Sequence, residues 1–225
     1  TIDNDMGGTD QTFGFSTAMR TATEAIDKLH TTAESHHRVM VLELMGRDAG
    51  WITLSAGISG GADVILIPEI PFDLQPIIKR CQARARQGRH FSIIAVAEGA
   101  RPKGGQQLFK IPAHGLHIPR LGGIAQQIAD QIYEQSNVES RCTVLGHLQR
   151  GGTPTPFDRW LATRYGAAAV RIAAADKHGV MVNLRGRTIG TIALDEALAA
   201  TPKLVDPKGD IVATARGMGI AFGDE

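Results

Sequence analysis

Two carboxylates stand close together at the start of the sequence. Asp3 and Asp5 lie in TIDNDMGGTD, residues 1–10, among Thr, Asn and Gly residues that favour turns and show no hydrophobic period. The stretch predicts a loop rather than a terminus. A loop can direct both carboxylates at one point, as a metal-ligand pair or a general base with a helper requires. Turn-forming residues alone would have the same composition, so these ten residues leave both interpretations open.

Charged residues beside glycine follow three predicted strands. MGRD at 45–48 contains Arg47, EG at 98–99 begins with Glu98, and HLQRGG at 147–152 contains His147 and Arg150. In an open α/β sheet, ligands bind outside the carboxyl ends of the strands. Three such ends on one edge therefore predict a convergent polar pocket.

The side chains of this pocket indicate the class of ligand. Arg47, His147 and Arg150 supply donors that suit a phosphate group, whereas Glu98 is an acceptor for sugar hydroxyls. We therefore expect a phosphorylated, hydroxyl-rich small molecule.

Two further arginines precede or begin strands. Arg38 and Arg141 stand at strand starts and so at the opposite edge of the sheet from the pocket. They could reach such a pocket only in a neighbouring molecule. An arginine that leads into a strand also often covers part of a surface, and that alternative stays open.

Strands and helices alternate along the chain, as in a parallel α/β sheet. The predicted strands are VMVLEL at 39–44, VILIP at 64–68, SIIAVA at 92–97 and RCTVLG at 141–146. The predicted helices span 13–33, 50–59, 73–87, 121–136 and 157–175. A strand pair around VMVNLRGRTIG and a small helix at 194–200 follow, and the tail from Pro202 is weakly patterned. Residues 100–120 are the one long irregular segment, typical of a functional or mobile loop.

Composition limits the function classes. The 225 residues are 43% hydrophobic with a formal net charge of +1, which suits a globular protein and gives no basic footprint for nucleic acid. No run is long enough to span a bilayer and no signal peptide pattern is present, so no membrane partner is expected. Cys81 and Cys142 fit reduced thiols in a cytoplasmic protein. Because residue 1 is Thr and not Met, we expect upstream sequence.

Five stretches in order resemble the 6-phosphofructokinase family: TIDNDMGGTDQTFGF, LELMGRDAGW, IPEIPFD, VAEGA and TVLGHLQRGGTPTPFDR. The resemblance covers nearly the whole chain. MGRDAGW, EGARPKGG, the lengthened segment before Arg141 and the ending ARGMGIAFGD are most similar to the bacterial branch that uses either ATP or pyrophosphate.

The resemblance implies a glycolytic transferase with Mg²⁺ as cofactor. It implies that ATP donates a phosphoryl group to the 1-hydroxyl of fructose 6-phosphate, giving fructose 1,6-bisphosphate. Pyrophosphate as the donor is the first alternative, and a non-catalytic sugar-phosphate-binding fragment is the second. An unrelated metal-dependent sugar transferase using Asp3 and Asp5 would leave the three strand ends unexplained.

The resemblance also implies a role for each candidate residue. Asp3 would be the general base for the 1-hydroxyl, Thr1 and Asp5 would position that hydroxyl and the transferred group, and Arg47 would stabilise the transition state. The remaining substrate contacts would come from Met45, Gly46 and Glu98 to the sugar, from His147 and Arg150 to the 6-phosphate, and from Arg38 and Arg141 of an adjacent subunit. A shared site of this kind implies a homo-oligomer, a dimer or a tetramer.

By the same resemblance, the fold would be two Rossmann-like three-layer α/β domains with mainly parallel sheets. Residues 15–149 would form the fructose 6-phosphate-binding domain, and 1–14 with 150–225 the remainder of an incomplete donor-binding domain. Its phosphate loop and magnesium ligands are expected upstream, so the chain alone is expected to be inactive. The helix at 157–175 is expected to expose an apolar face containing Trp160, Leu161, Val170 and Ile172.

An effector pocket between subunits is the last feature that the resemblance implies. Asp63 and Arg89 match its pattern, but His30 and Gln87 stand where strongly basic residues are expected. Two lost charges weaken a diphosphate site, so we expect weak or altered nucleotide regulation.

Overall fold

A parallel sheet forms the centre of the computed structural model, which describes residues 1–111 and 120–225. The strands are β1 (Val39–Leu44), β2 (Val64–Leu66), β3 (Ser92–Ala97), β4 (Phe109–Ile111), β5 (Arg120–Leu121), β6 (Ser140–Val144), β7 (Val180–Arg185) and β8 (Thr188–Ala193). The α-helices are α1 (Phe15–His36), α2 (Trp51–Ser59), α3 (Leu74–Arg86), α4 (Ile124–Ser136), α5 (Pro156–Ala174), α6 (Leu194–Ala199) and α7 (Asp210–Gly217), and a 3₁₀ helix spans Gly146–Arg150.

Four strands build the main sheet in the order β2-β3-β1-β6, all parallel. Every residue of β1 and β3 is buried, as their continuous apolar sequences predict for strands covered on both faces. Met40 and Leu42 pack into a core with α1 and α2, while Val39 and Val41 pack into a second core with α3 and α4. The three-layer α/β arrangement confirms the predicted fold class.

The strand register brings the carboxyl ends together. Leu44 of β1 pairs with Ala97 of β3, and Glu43 pairs with Val144 of β6. The segments that begin at Met45, Glu98 and Leu145 therefore leave the sheet side by side, at one edge.

One expectation about irregular sequence was wrong, and the weakly patterned tail contains a short helix. Part of the segment 100–120 is regular, because β4 and β5 form an antiparallel pair and Phe72 makes a parallel bridge with Pro102. Residues 112–119 of that segment lie outside the described residues. The tail from Pro202 contains α7, which buries only Val212 and Ala215 and is too short to show a clear helical period.

Residues 150–225 contribute a hairpin and three helices. β7 and β8 pair antiparallel as expected, and no second parallel sheet occurs among the described residues. At the end of the chain, Val205, Val212 and Phe222 pack into the core formed with α1 and α2. Ala221 also forms a parallel bridge with Val64. The predicted domain limits stay predictions.

The predicted apolar face of α5 is only partly exposed. Trp160 is 55% and Val170 is 69% exposed, as expected, and Ile172 is half-buried. Leu161 is fully buried, contrary to the prediction, because α5 packs against α1 and against the hairpin. Among the helices that the structure describes, none has the length and apolarity of a membrane-spanning segment.

Candidate active site

The loop that carries Asp3 is shaped by its own polar side chains. Thr1 Oγ1 accepts a hydrogen bond from the Asp3 amide at 3.0 Å and donates to Asp3 Oδ2 at 3.1 Å. Asn4 adopts the left-handed conformation, with φ of 58°, which Asn tolerates better than most residues. Its Oδ1 accepts from the Thr12 amide at 3.0 Å and closes the loop. We call residues 1–12 the base loop.

Asp3 is held where an ionised carboxylate is unfavourable. The residue is 5% exposed, and its Oδ1 is buried without a hydrogen-bond partner. Burial raises the pKa of the Asp3 carboxyl, and the neighbouring Asp5 raises it further, while the bond from Thr1 and the charge of Arg150 act in the opposite direction. A carboxylate with a raised pKa is better suited to accept a proton near neutral pH.

The loop after β1 holds Arg47 in a strained conformation. Residues 45–50, the arginine loop, include Gly46 with φ of 145° and Arg47 with φ of 51°. Left-handed backbone at a residue other than glycine costs energy and often marks a functional site. Gly99 touches this loop so closely that a Cβ there would lie 1.9 Å from the Arg47 carbonyl oxygen. The Arg47 side chain is left exposed.

Three side chains accept hydrogen bonds from backbone amides of the arginine loop. Gln149 Oε1 bonds Met45 N at 2.8 Å, Glu98 Oε1 bonds Arg47 N at 3.2 Å, and Glu69 Oε1 bonds Gly50 N at 2.9 Å. The roles of Gln149 and Glu69 were not predicted. The sequence feature that could have indicated these roles is their position, Gln149 within HLQRGG and Glu69 within IPEIPFD.

Charge interactions of Asp3 with Glu98 and Arg150 indicate that the base loop lies near the carboxyl ends of the strands. Burial raises the pKa of Glu98, amide hydrogen bonds from Arg47 and Gly46 lower it, and the charge of Asp3 raises it. The charge of Arg150, in the 3₁₀ helix, lowers the pKa of Asp3. A cavity of about 340 Å³ is lined by Ile2 and Arg150 among other residues. The exposed His147 lies in the same 3₁₀ helix. The structure thus brings the predicted pocket residues to one edge of the sheet.

Arg38 and Arg141 meet at the opposite edge, as their positions at the strand starts require. Arg38 Nη2 lies 2.9 Å from Glu139 Oε1, and Arg141 Nη2 lies 2.8 Å from the same oxygen. The hydrogen bond from Arg38 is the largest cause of the lowered pKa of Glu139. Two guanidinium groups therefore share one carboxylate and leave a net positive charge at this edge.

The four residues discussed for an effector pocket lie near the amino ends of β2 and β3. Asp63 is buried, with Oδ1 2.7 Å from Arg84 Nη1 and Oδ2 accepting from the Ile93 amide at 2.9 Å. Burial raises the pKa of Asp63 despite these partners. Arg89 and Gln87 are exposed, and His30 Nε2 lies 2.8 Å from the Gly60 carbonyl oxygen. Effector binding by these residues stays a prediction.

Glu43 is a further buried carboxylate that was not predicted. It lies within β1 and is 3% exposed, yet its Oε2 accepts from the amides of Gly123 and Ala125 at 3.0 and 3.1 Å. These amides belong to the start of α4, where a helix favours negative charge. Glu43 therefore fixes α4 against the central strand of the sheet.

Residues 1–111 and 120–225 contain no group of three or more His, Cys, Asp or Glu side chains that could hold a metal ion. Magnesium in proteins is usually bound through one or two carboxylates together with water and substrate phosphates, so it does not require such a group.

Comparisons with known proteins agree on one family. The family model described as Phosphofructokinase matches residues 1–173. The ATP-dependent 6-phosphofructokinase of Chloroflexus aurantiacus is 57% identical over 225 residues, which are 100% of this chain and 61% of that protein. The ATP-dependent 6-phosphofructokinase 2 of Clostridium perfringens is 50% identical over 226 residues, or 100% of this chain and 62% of that protein.

Solved structures show the same likeness. Phosphofructokinase from Saccharomyces cerevisiae superposes with a TM-score of 0.74 at 32% identity, covering 97% of this chain and 27% of that one. Pyrophosphate-dependent phosphofructokinase from Marinobacter aquaeolei gives a TM-score of 0.78 at 25% identity, covering 99% of this chain and 55% of that one. The chain thus spans about 61% of the length of the curated relatives it matches.

Proposed function

Because the chain belongs to the phosphofructokinase family, we propose that the whole protein transfers a phosphoryl group from ATP to the 1-hydroxyl of fructose 6-phosphate. One observation carries the proposal. A buried carboxylate with a raised pKa, Asp3, lies within electrostatic reach of Glu98 and Arg150, and Glu98 bonds the amide of Arg47. A base, an acceptor for hydroxyls and two cations are the groups that phosphoryl transfer to a sugar phosphate requires.

In this proposal Asp3 accepts the proton of the 1-hydroxyl as that oxygen attacks. Thr1 orients the carboxylate, because its hydroxyl donates to Asp3 Oδ2. Asp5 contributes through its charge, since it raises the pKa of Asp3, and through contact with the attacking hydroxyl.

Arg47 is proposed to neutralise the charge that develops as the phosphoryl group moves. Its exposed side chain extends from a loop whose backbone is fixed by the hydrogen bonds from Met45, Arg47 and Gly50. A group held in advance contributes more to the transition state than one that must be ordered during the reaction. Gly46 and Met45 would contact the sugar.

The sugar phosphate is proposed to lie across the strand ends. Glu98 accepts from ring hydroxyls, and His147 with Arg150 binds the 6-phosphate. Arg38 and Arg141 reach the same phosphate from an adjacent subunit, since both lie at the far edge of their own sheet. The protein would then be a homo-oligomer, because one subunit alone leaves the phosphate site incomplete.

ATP with Mg²⁺ is the donor that we favour. The relatives at 57% and 50% identity are both named as ATP-dependent enzymes. When bound with the donor, Mg²⁺ would neutralise part of the charge of the donor phosphates. Pyrophosphate is the alternative, because the Marinobacter aquaeolei protein of similar fold is named as pyrophosphate-dependent. A cytoplasmic, glycolytic role is part of the same proposal.

Replacing Arg47 tests the proposed chemistry. In the full-length gene product, Arg47→Gln is expected to lower kcat on the order of a thousandfold, with a smaller effect on the KM for fructose 6-phosphate. Arg86→Gln, at the exposed end of α3, is the matched control and should leave both constants unchanged. Equal activity of the two variants would contradict the role assigned to Arg47.

A further inference from the structure

We infer that residues 201–205, here called the strap, hold the base loop against the arginine loop, and that Lys203 is the positioning residue at their junction. The inference rests on the proposed function, in which Asp3 and Arg47 act on the same phosphoryl group. The two loops are separated by more than thirty residues of sequence, so their relative position depends on contacts made elsewhere in the chain.

The strap is bound to the base loop through backbone and side chain. The Lys203 amide donates to the Asp5 carbonyl at 2.6 Å. The Lys203 ammonium donates to the carbonyl oxygens of Thr9 and Asp10 at 2.9 and 3.0 Å, and it lies 3.4 Å from Asn4 Oδ1. These contacts reach both ends of the turn that Asn4 closes, so they fix the loop immediately after Asp3.

The strap is also bound to the residues that follow Arg47 in the sequence. Trp51 Nε1 donates to the Lys203 carbonyl at 2.7 Å, and the Lys203 ammonium lies 5.7 Å from the centre of the indole ring. Glu69 Oε1 accepts from the amides of both Gly50 and Val205, each at 2.9 Å. One carboxylate oxygen therefore joins the arginine loop to the strap.

The contacts of Lys203 with the base loop depend on its ammonium group as well as on the length of its side chain. Its side chain is half-buried among neutral oxygens, and burial is the main reason for its lowered pKa. Three oxygens of the base loop surround the three donors of one ammonium group. An apolar side chain of similar length would leave the Thr9 and Asp10 carbonyl oxygens without this donor, while Asn4 Oδ1 would keep its bond from the Thr12 amide. The indole and the strap backbone would stay in place.

A merely structural strap and a positioning strap give different kinetics. The proposed 6-phosphate contacts, His147 and Arg150, lie in the 3₁₀ helix, and Glu98 directly follows β3. In the part of the chain described here, the hydrogen bonds of the Lys203 ammonium go to neither segment. Displacing the base loop should therefore lower kcat and leave the KM for fructose 6-phosphate nearly unchanged. A purely structural contact would change the melting temperature without this separation of the two constants.

The test compares four variants of the full-length gene product. Lys203→Met is expected to lower kcat by about 10- to 100-fold, with a change in KM below about threefold. Trp51→Phe, which keeps a ring but removes the donor, should lower kcat by about three- to tenfold. Lys203→Arg, which keeps the charge, should recover part of the loss. Lys208→Met, on an exposed lysine nearby, is the control and should match the wild type.

Amide hydrogen exchange tests the strap without relying on activity. We expect Lys203→Met to increase exchange both in residues 1–12 and in residues 45–51, and to leave α4 unchanged. If the wild-type enzyme proves inactive with every donor, this coupled exchange would still support the strap while the proposed function fails. Unchanged exchange in the arginine loop, or a kcat within twofold of wild type in Lys203→Met, would overturn the inference.

Discussion

Asp3 offers a test in which stability and activity change in opposite directions. Its carboxylate is buried, one oxygen has no hydrogen-bond partner, and its pKa is raised above the ordinary value of 3.8. A raised pKa means that the folded chain favours the protonated carboxyl, so ionisation at neutral pH reduces the free energy of unfolding. Asp3→Asn removes the charge and keeps the size of the side chain.

The expected gain in stability is modest because the amide remains polar. An unsatisfied buried polar atom costs about 1–3 kcal/mol, and we expect the neutral side chain to recover about 1 kcal/mol of this. For a chain of 150–250 residues, that corresponds to a rise of about 2–4 °C in Tm. The same change should lower kcat of the full-length gene product by about 10²- to 10⁴-fold, because the proposed general base is lost.

The pH dependence gives the sign of the effect independently. As the pH falls through the raised pKa of Asp3, the wild-type carboxyl becomes neutral and the difference in Tm between wild type and Asp3→Asn should shrink. Differential scanning calorimetry between neutral and acidic pH measures this difference. Asp27→Asn, on the exposed face of α1, is the control and should show no such trend. A lower Tm for Asp3→Asn at neutral pH, or a difference independent of pH, would refute the reasoning.

Three further predictions concern the supporting residues. Glu139→Gln frees the two arginines that share its carboxylate and should lower the KM for fructose 6-phosphate by about two- to fivefold in steady-state assays; an unchanged KM would argue against a phosphate role for them. Gln149→Met leaves the Met45 amide without its acceptor and should cost about 1–3 kcal/mol in denaturant unfolding, so an unaltered midpoint would count against it. Arg84→Met leaves Asp63 buried and unpaired, which should cost about 3–5 kcal/mol at neutral pH. That cost should decrease at acidic pH, where Asp63 is protonated, and a pH-independent loss would contradict the ion pair.

The parallel sheet and the edge that carries the candidate site were predictable because local sequence determines both. Continuous apolar runs such as VMVLEL indicate strands covered on two faces, and parallel strands place their carboxyl ends together. Arg47, Glu98 and His147 could therefore be assigned to one edge without knowing which strands pair. The opposite position of Arg38 and Arg141 followed from the same rule.

Contacts between distant segments were not predictable in this way. The bond from Met45 to Gln149 spans 104 residues, that from Val205 to Glu69 spans 136, and that from the Lys203 ammonium to Thr9 spans 194. No periodicity or spacing encodes such pairs, because they depend on where the C-terminal residues pack. The short helix α7 was missed for a related reason, since eight residues give too few turns to reveal an apolar face.

The most direct test of the proposed function is product formation by the full-length gene product. Fructose 6-phosphate is supplied with Mg²⁺ and either ATP or pyrophosphate, and fructose 1,6-bisphosphate is measured. We predict turnover with ATP that is lost in Asp3→Asn. Turnover with pyrophosphate but not with ATP would identify pyrophosphate as the donor and would leave the proposed roles of Asp3 and Arg47 unchanged. A folded protein that forms no product with either donor would contradict the assignment of Asp3 and Arg47 to phosphoryl transfer.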